Sequence, residues 1–305
     1  MTELEYNIVD TFTEKRYSGN PAAVVFRGDG LDDISLQTIA SEFNLSAATF
    51  VLPSDTPEAA IRFRWFTPST EIQMCGHATL AGVHALLDGG RFARLRDEPQ
   101  ATLVIQTAAG LLRVQVERLA PPNSQLLFWL DLPRPQLTSR SINIDKLTDI
   151  LGMDPDALES ALPVMETQDE DLIVFVASYS ALLDARPHFT ELGAWCARHR
   201  IRGICLATLN TLSPSAHVQS RFFAPAFGVN EDPVSGSVHG PLAAYLMAHE
   251  LVPHDGRVAA VTCVQAEAGG RAGLIRALVT QERGEGFSVR IAGQCQTTMR
   301  GTLII

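Results

Sequence analysis

Two stretches of the chain carry the same pattern, and that repetition limits the folds open to it. The first runs Arg64-Trp65-Phe66-Thr67-Pro68, then Cys75-Gly76, then a helical pattern with Leu80-Ala81. The second runs Arg221-Phe222-Phe223-Ala224-Pro225, then Ser235-Gly236, then Leu242-Ala243. Each reads as a strand, an aromatic residue two before a proline, a loop, a small residue followed by glycine, and a helix. Nine positions lead from Phe66 to Cys75 and twelve from Phe223 to Ser235, so the copies differ mainly in loop length. Solenoid repeats recur at about 20–50 residues. A spacing near half the chain instead signals two duplicated domains, and 305 residues suffice for two cores.

The rest of the pattern fits that division. Residues 5–27 read as two strands joined by a Gly19-Asn20-Pro21 turn. A helix is expected over about 33–43, capped by Ser35 or Asp33, then strands at about 48–53 and 60–66. A second helix, about 77–88, has an apolar face of Leu80, Val83 and Leu87. Ala78, Ala81, Gly82 and Ala85 elsewhere on it suit a helix wrapped inside a sheet. Strands at about 101–106 and 111–118 lead to a break at Ala120-Pro121-Pro122-Asn123-Ser124. The pattern then restarts, with helices near 144–152 and 190–199 and strands near 125–132, 172–176, 203–208 and 217–223.

Charge and cysteine usage narrow the function. A net charge of −10, spread along the chain, leaves no basic face for a nucleic-acid backbone. A small anion remains admissible, because a few backbone N–H groups can hold one. Cys75, Cys196, Cys205, Cys263 and Cys295 are odd in number and lack metal-site spacing, which points to cytoplasmic thiols and no metal. From the acidic start no signal peptide is expected, and no apolar run nears the roughly 20 residues of a membrane helix. Neither nucleotide-binding glycine motif is present, nor a GxSxG elbow, so no cofactor is implied.

Cys75-Gly76-His77 opens one helix and Asp232-Pro233-Val234-Ser235-Gly236-Ser237 opens its counterpart. Helix N-termini carry unpaired N–H groups and partial positive charge, which suits a carboxylate. Two such loops on related lobes, with His77 and Asp232, would form a polar site in a cleft between them. Glu71 is expected to brace the first loop and His84 to be packed. His239 is expected at the cleft, and His249 and His254 at the surface.

In this order the motifs resemble the PhzF-like (phenazine-biosynthesis-protein-like) family. They are Val9-Asp10-Thr11-Phe12 with Gly19-Asn20-Pro21, Asn44-Leu45-Ser46 with Thr49-Phe50-Val51, and Phe66-Thr67-Pro68 with Cys75-Gly76-His77-Ala78-Thr79. Glu231 to Ser237 and Gly269-Gly270-Arg271-Ala272-Gly273 complete the set. The resemblance implies a diaminopimelate-epimerase-like α+β fold of two related lobes. Each would be a curved, mainly antiparallel sheet around a central helix. The first lobe would comprise residues 1–118 plus about 287–305, the second about 124–286, with a ligand cleft between them.

It also implies a cofactor-independent isomerase, often a homodimer, that moves a proton within a small carboxylate-bearing substrate such as a dihydro-hydroxyanthranilate. His77 and Asp232 would take catalytic positions. Asn20, Ser46, Cys75, Gly76, Gly236 and Ser237 would contact substrate. One departure stands out. The family usually has its proton-moving glutamate directly after the serine of the second motif, and here that position is Ala47. A methyl group is no general base. Three readings stay open: a replacement made to silence the enzyme, chemistry moved to His77, Asp232 or Cys75, or a binding protein without turnover. Cys75 alone could also serve a lyase or dehydratase; Ser235 at the matching place makes two-thiol racemisation unsuitable.

Overall fold

Residues 3–120, 125–266, 270–284 and 286–305 are described by the computed structural model. Most of the expected break, residues 121–124, and Gly269 of the last motif lie outside the described residues. The chain divides into two compact units, Met1–Asp131 with Ala292–Ile305, and Leu132–Ile291.

The first unit opens with β1 (Glu3–Thr11), β2 (Asn20–Phe26), α1 (Asp33–Phe43), β3 (Ala48–Leu52), β4 (Ile61–Phe66) and β5 (Glu71–Ile72). It continues with α2 (Gly76–Asp88), α3 (Ala93–Asp97), β6 (Gln100–Thr107), β7 (Gly110–Arg118) and β8 (Leu126–Asp131). Gly19, at φ +66°, turns the chain between β1 and β2, where a Cβ would sit 2.0 Å from the Thr11 carbonyl oxygen. The cap of α1 is Asp32, whose carboxylate accepts the Ser35 N–H at 2.8 Å. Neither expected cap fills the role, because Asp33 and Ser35 already lie inside the helix. β8 pairs antiparallel with β7, with Val116 opposite Phe128, and carries the first unit to Asp131.

The second unit contains β9 (Leu137–Ser139), α4 (Ile144–Leu151), β10 (Met165–Thr167), β11 (Asp171–Phe175), α5 (Tyr179–Asp184) and α6 (Phe189–His199). Next come β12 (Gly203–Thr208), β13 (Val218–Ala224), β14 (Val229–Asp232), α7 (Gly236–Ala248), β15 (Val258–Ala266), β16 (Ala272–Glu282) and β17 (Gly286–Gly293). The last strand, β18 (Cys295–Ile304), returns to the first unit and lies antiparallel to β1 from Glu3↔Ile304 to Thr11↔Cys295.

The duplicated pattern is visible in the ladders. In one unit β2 is parallel to β3, β3 antiparallel to β4, β4 antiparallel to β5 and parallel to β6, and β6 antiparallel to β7. In the other, β11 is parallel to β12, β12 antiparallel to β13, β13 antiparallel to β14 and parallel to β15, and β15 antiparallel to β16. The loops of the echo become β5 and β14, and the two following helices both span 13 residues. The architecture is α+β.

Each of these helices is enclosed by its own sheet. In α2 every residue is buried except Gly76, His77, His84 and Asp88; in α7 only Ser237 and Ala248 are not. Gly82 lets α2 approach the sheet, because a Cβ there would meet the Phe63 ring at 2.7 Å. Burying side chains such as Leu80, Leu86, Leu242 and Leu246 contributes about 1.5–3 kcal/mol each. The opposite sheet faces carry the outer helices. Leu36 and Ala40 of α1 pack on Ala23, Val25, Ala48 and Phe50. Leu147, Ile150, Leu192 and Trp195 of α4 and α6 pack on Leu172, Val174, Ile204 and Leu206.

Candidate active site

The loop before α2 is held by an ion pair. Arg64 Nε and Nη2 each donate to the Glu71 carboxylate at 2.7 Å, and the guanidinium lies 5.1 Å from the Phe66 ring centroid. Glu71 therefore braces this loop. The same device recurs before α7. Arg221 Nε and Nη2 donate to Glu231 at 2.7 and 2.9 Å, 4.8 Å from the Phe223 ring. This second clamp is buried, and Arg221 Nη1 also donates to the carbonyls of Leu182 and Ala185.

The braced loop of the first unit delivers Cys75, Gly76 and His77 to the start of α2, where the N–H groups of the first turn have no intrahelical partner. Ser46 and Asn20, from the starts of two neighbouring strands, meet His77 there. Ser46 Oγ donates to Asn20 Oδ1 at 3.0 Å and lies 3.1 Å from His77 Nε2. With its proton used, Ser46 can only accept, so Nε2 carries the imidazole proton. Nδ1 is then the acceptor, and Cys75 Sγ lies 3.4 Å from it. The order Cys75, His77, Ser46, Asn20 is a continuous hydrogen-bonded relay. Burial of the ring pushes the His77 pKa down to about 4, so the imidazole is a neutral acceptor at pH 7.

Ala47 adjoins this relay and is completely buried. Side chains alternate along β3. Ala48 and Phe50 face α1, while Thr49 Oγ1 donates to the Ala78 carbonyl of α2 at 2.8 Å. Ala47 thus shares the face that looks toward α2.

In the second unit Asp232, Gly236 and Ser237 group around the start of α7. Gln265, fully buried, ties the loop down: its Oε1 accepts the Ser235 N–H at 2.7 Å and its Nε2 donates to the Asp232 carbonyl at 2.5 Å. Ser235 and Ser237 hydroxyls lie 3.2 Å apart, in the places that Cys75 and His77 take in α2. Ser237 also receives a bond from Arg202 Nη2 at 3.2 Å, and Arg202 is itself held by the buried Asp171 through Nε–Oδ1 at 2.7 Å and an Nη2–Oδ2 contact. Sequence reasoning missed Gln265, Arg202 and Asp171. The one available signal was a lone carboxylate, Asp171, opening the apolar run 172–176.

His239 does not border an open site. Its ring is fully buried, Nδ1 donates to the Ser235 carbonyl at 2.6 Å, and Nε2 accepts from Ser220 at 2.9 Å. His84 packs edge-on against Phe128, with centroids 5.7 Å apart. Cys75 is part-exposed; the other four thiols are buried, and burial pushes Cys196 and Cys263 up to about 12. Among the described residues no group of three His, Cys, Asp or Glu could hold a metal ion, and no helix is long and apolar enough to cross a membrane.

Burial also pushes His239 down to about 4, against the bond to Ser235. An unfolded histidine titrates near 6.5, so below that pH the unfolded chain takes up the proton first. The stability His239 confers is complete above pH 6.5 and is lost as pH falls to 4, on the order of 3 kcal/mol. The melting temperature should therefore fall over that interval, and fall less in His239→Gln. An equal acid slope in both proteins would refute the assignment.

The sequence profile of the phenazine biosynthesis-like family, PhzC-PhzF, matches residues 9–301. The chain belongs to that family. Among PhzF-family relatives, an uncharacterized isomerase of Pseudomonas aeruginosa is 39% identical over 244 residues, covering 80% of this chain and 81% of that one. The crystal structure of a PhzF-family phenazine biosynthesis protein from Bacillus anthracis is 26% identical and matches with a TM-score of 0.90 over all of both chains. A hydroxyproline epimerase from Agrobacterium vitis, 13% identical, matches with a TM-score of 0.64 over 99% of this chain and 92% of that one. That likeness shows the fold alone. The chain is thus an isomerase-like PhzF-family protein with the diaminopimelate-epimerase type of fold.

Proposed function

We propose that the protein is a cofactor-independent isomerase that moves a proton within a small carboxylate-bearing substrate, and that it works without the usual glutamate. The observation that carries this reading is the relay at the start of α2. It presents a neutral imidazole with a fixed tautomer beside N–H groups suited to an anion. In the reading, Gly76 and Gly236 allow close approach of the carboxylate to backbone N–H groups. Asn20, Ser46 and Ser237 orient the substrate, and His77 and Asp232 act on protons or orient a substrate amine or hydroxyl. With Ala47 in place of a carboxylate, turnover by the usual route is expected to be slow.

The test supplies dihydro-hydroxyanthranilate and a panel of cyclic and α-amino carboxylates. His77→Ala and Asp232→Asn should each lower isomerisation by about 10²–10⁴-fold, the usual worth of a positioned acid or base. Full activity in both variants would sink the reading.

The 3.4 Å contact between Cys75 Sγ and His77 Nδ1 favours one second reading, a Cys75-dependent lyase in which the imidazole activates the thiol. Alkylation of Cys75 would then abolish activity and substrate would protect it. A fully active Cys75→Ser variant would exclude it.

A further inference from the structure

We propose that Arg202 is a substrate-binding residue, the anchor for a substrate carboxylate at the α7 end; the inference rests on the isomerase reading above. In the first unit Phe66 of β4 stands opposite Ala48 of β3. In the second, Phe223 of β13, at the same place in the repeated pattern, stands opposite Ile204 of β12. The parallel ladders extend the match, Ala48 lying level with Ala23 and Ile204 with Leu172. Two residues before Ala48 is Ser46, and two before Ile204 is Arg202. They hold the same station on the two sheets.

They also make similar connections, although Asp171 stands two positions further along its strand than Asn20 when Ala23 is set level with Leu172. Ser46 joins Asn20, the first residue of β2, to His77, the second residue of α2. Arg202 joins Asp171, the first residue of β11, to Ser237, the second residue of α7. Asn20, Ser46, His77 and Ser237 are all residues for which sequence implies substrate contact. Arg202 stands among their counterparts.

Its chemistry suits an oxyanion. Asp171 is fully buried and grips Nε and one side of Nη2, which fixes the plane of the guanidinium. Ser237 takes Nη2 from another side. Among the described residues Nη1 has no hydrogen-bond partner. The two N–H donors of Nη1 therefore remain on a guanidinium that Nη2 ties to the first turn of α7, and little side-chain freedom is left to lose on binding. Asp171 cancels most of the charge and occupies two of the five donors, and Asp169 and Asp232 add to the negative field, but the Nη1 donors stay unbonded. Recognition then rests on directed bonds to the oxyanion with help from the helix terminus, and its worth is moderate, about tenfold in affinity.

The experiment titrates the protein with anthranilate and with anthranilamide, which differ only in carboxylate against carboxamide; acetate and benzoate are simpler carboxylate probes. Arg202→Met is made together with Asp171→Leu, so that no lone carboxylate is left buried. Arg202→Lys and His77→Ala are measured in parallel, and circular dichroism verifies folding. Anthranilate should bind the folded double variant about tenfold more weakly, anthranilamide as before, and Arg202→Lys should fall between. An equal loss for both ligands would mark a structural role and overturn the proposal. Unchanged anthranilate affinity, with His77→Ala weakened, would also overturn it and leave the isomerase reading standing. No binding of any carboxylate to the unmodified protein would overturn both.

Discussion

An Arg221→Ala variant should unfold at a melting temperature roughly 10 °C below that of the unmodified protein. The side chain is 4% exposed and holds four bonds, two to Glu231 and two to the carbonyls of Leu182 and Ala185. Its loss strands a mostly buried carboxylate and two carbonyls, a defect worth about 3–5 kcal/mol. Arg64 makes the matching clamp to Glu71, but that carboxylate is 38% exposed and water can replace the guanidinium. Arg64→Ala should therefore lose only about 1 kcal/mol. Removing both charges in the second unit, Arg221→Leu with Glu231→Leu, should recover part of the loss, because a missing pair is cheaper than a broken one. Equal shifts for Arg64→Ala and Arg221→Ala would show that burial is not what separates the clamps.

Ala47→Glu should raise the rate of substrate isomerisation by about 10²–10⁴-fold, the usual contribution of a positioned general base. Position 47 shares the sheet face that looks toward α2 and lies next to Ser46 of the His77 relay. It is fully buried, so a carboxyl placed there is partly desolvated and its pKa rises toward neutrality, where a base works best. The rate of substrate loss for the two proteins at equal concentration measures the effect. An unchanged rate in a folded variant would mean that position 47 does not face the reacting carbon.

Much of this was readable from the chain because it depends on local pattern. The small residues of α2 announced an enclosed helix, and the paired Arg–aromatic–Pro motifs announced two related sheets. Short elements such as β9, β10, α3 and α5 carry too few residues for a period to show. The cap fell to Asp32 because Asp32, Asp33 and Ser35 lie within four positions and compete for one role. Of the candidate site, the residues that sit in motifs could be named from the chain, and four of them, Asn20, Ser46, Cys75 and His77, meet in one relay. Arg202, Asp171 and Gln265 were not, because each gains meaning only from the strand laid beside it. His239 misled in the opposite direction. Its position near Gly236 suggested an open site, yet one turn of helix carries it inward onto Ser220.

The central claim, proton transfer at carbon without a cofactor, is tested most directly by NMR in D₂O. The unmodified protein, Ala47→Glu and His77→Ala each receive dihydro-hydroxyanthranilate and the panel of cyclic and α-amino carboxylates, with deuterium uptake followed at each carbon. The account predicts uptake at a single carbon, slow in the unmodified protein, faster in Ala47→Glu and lost in His77→Ala. No uptake from any compound in either of the first two proteins, both folded and both stabilised by ligand, would contradict it and leave a binding protein in place of an isomerase.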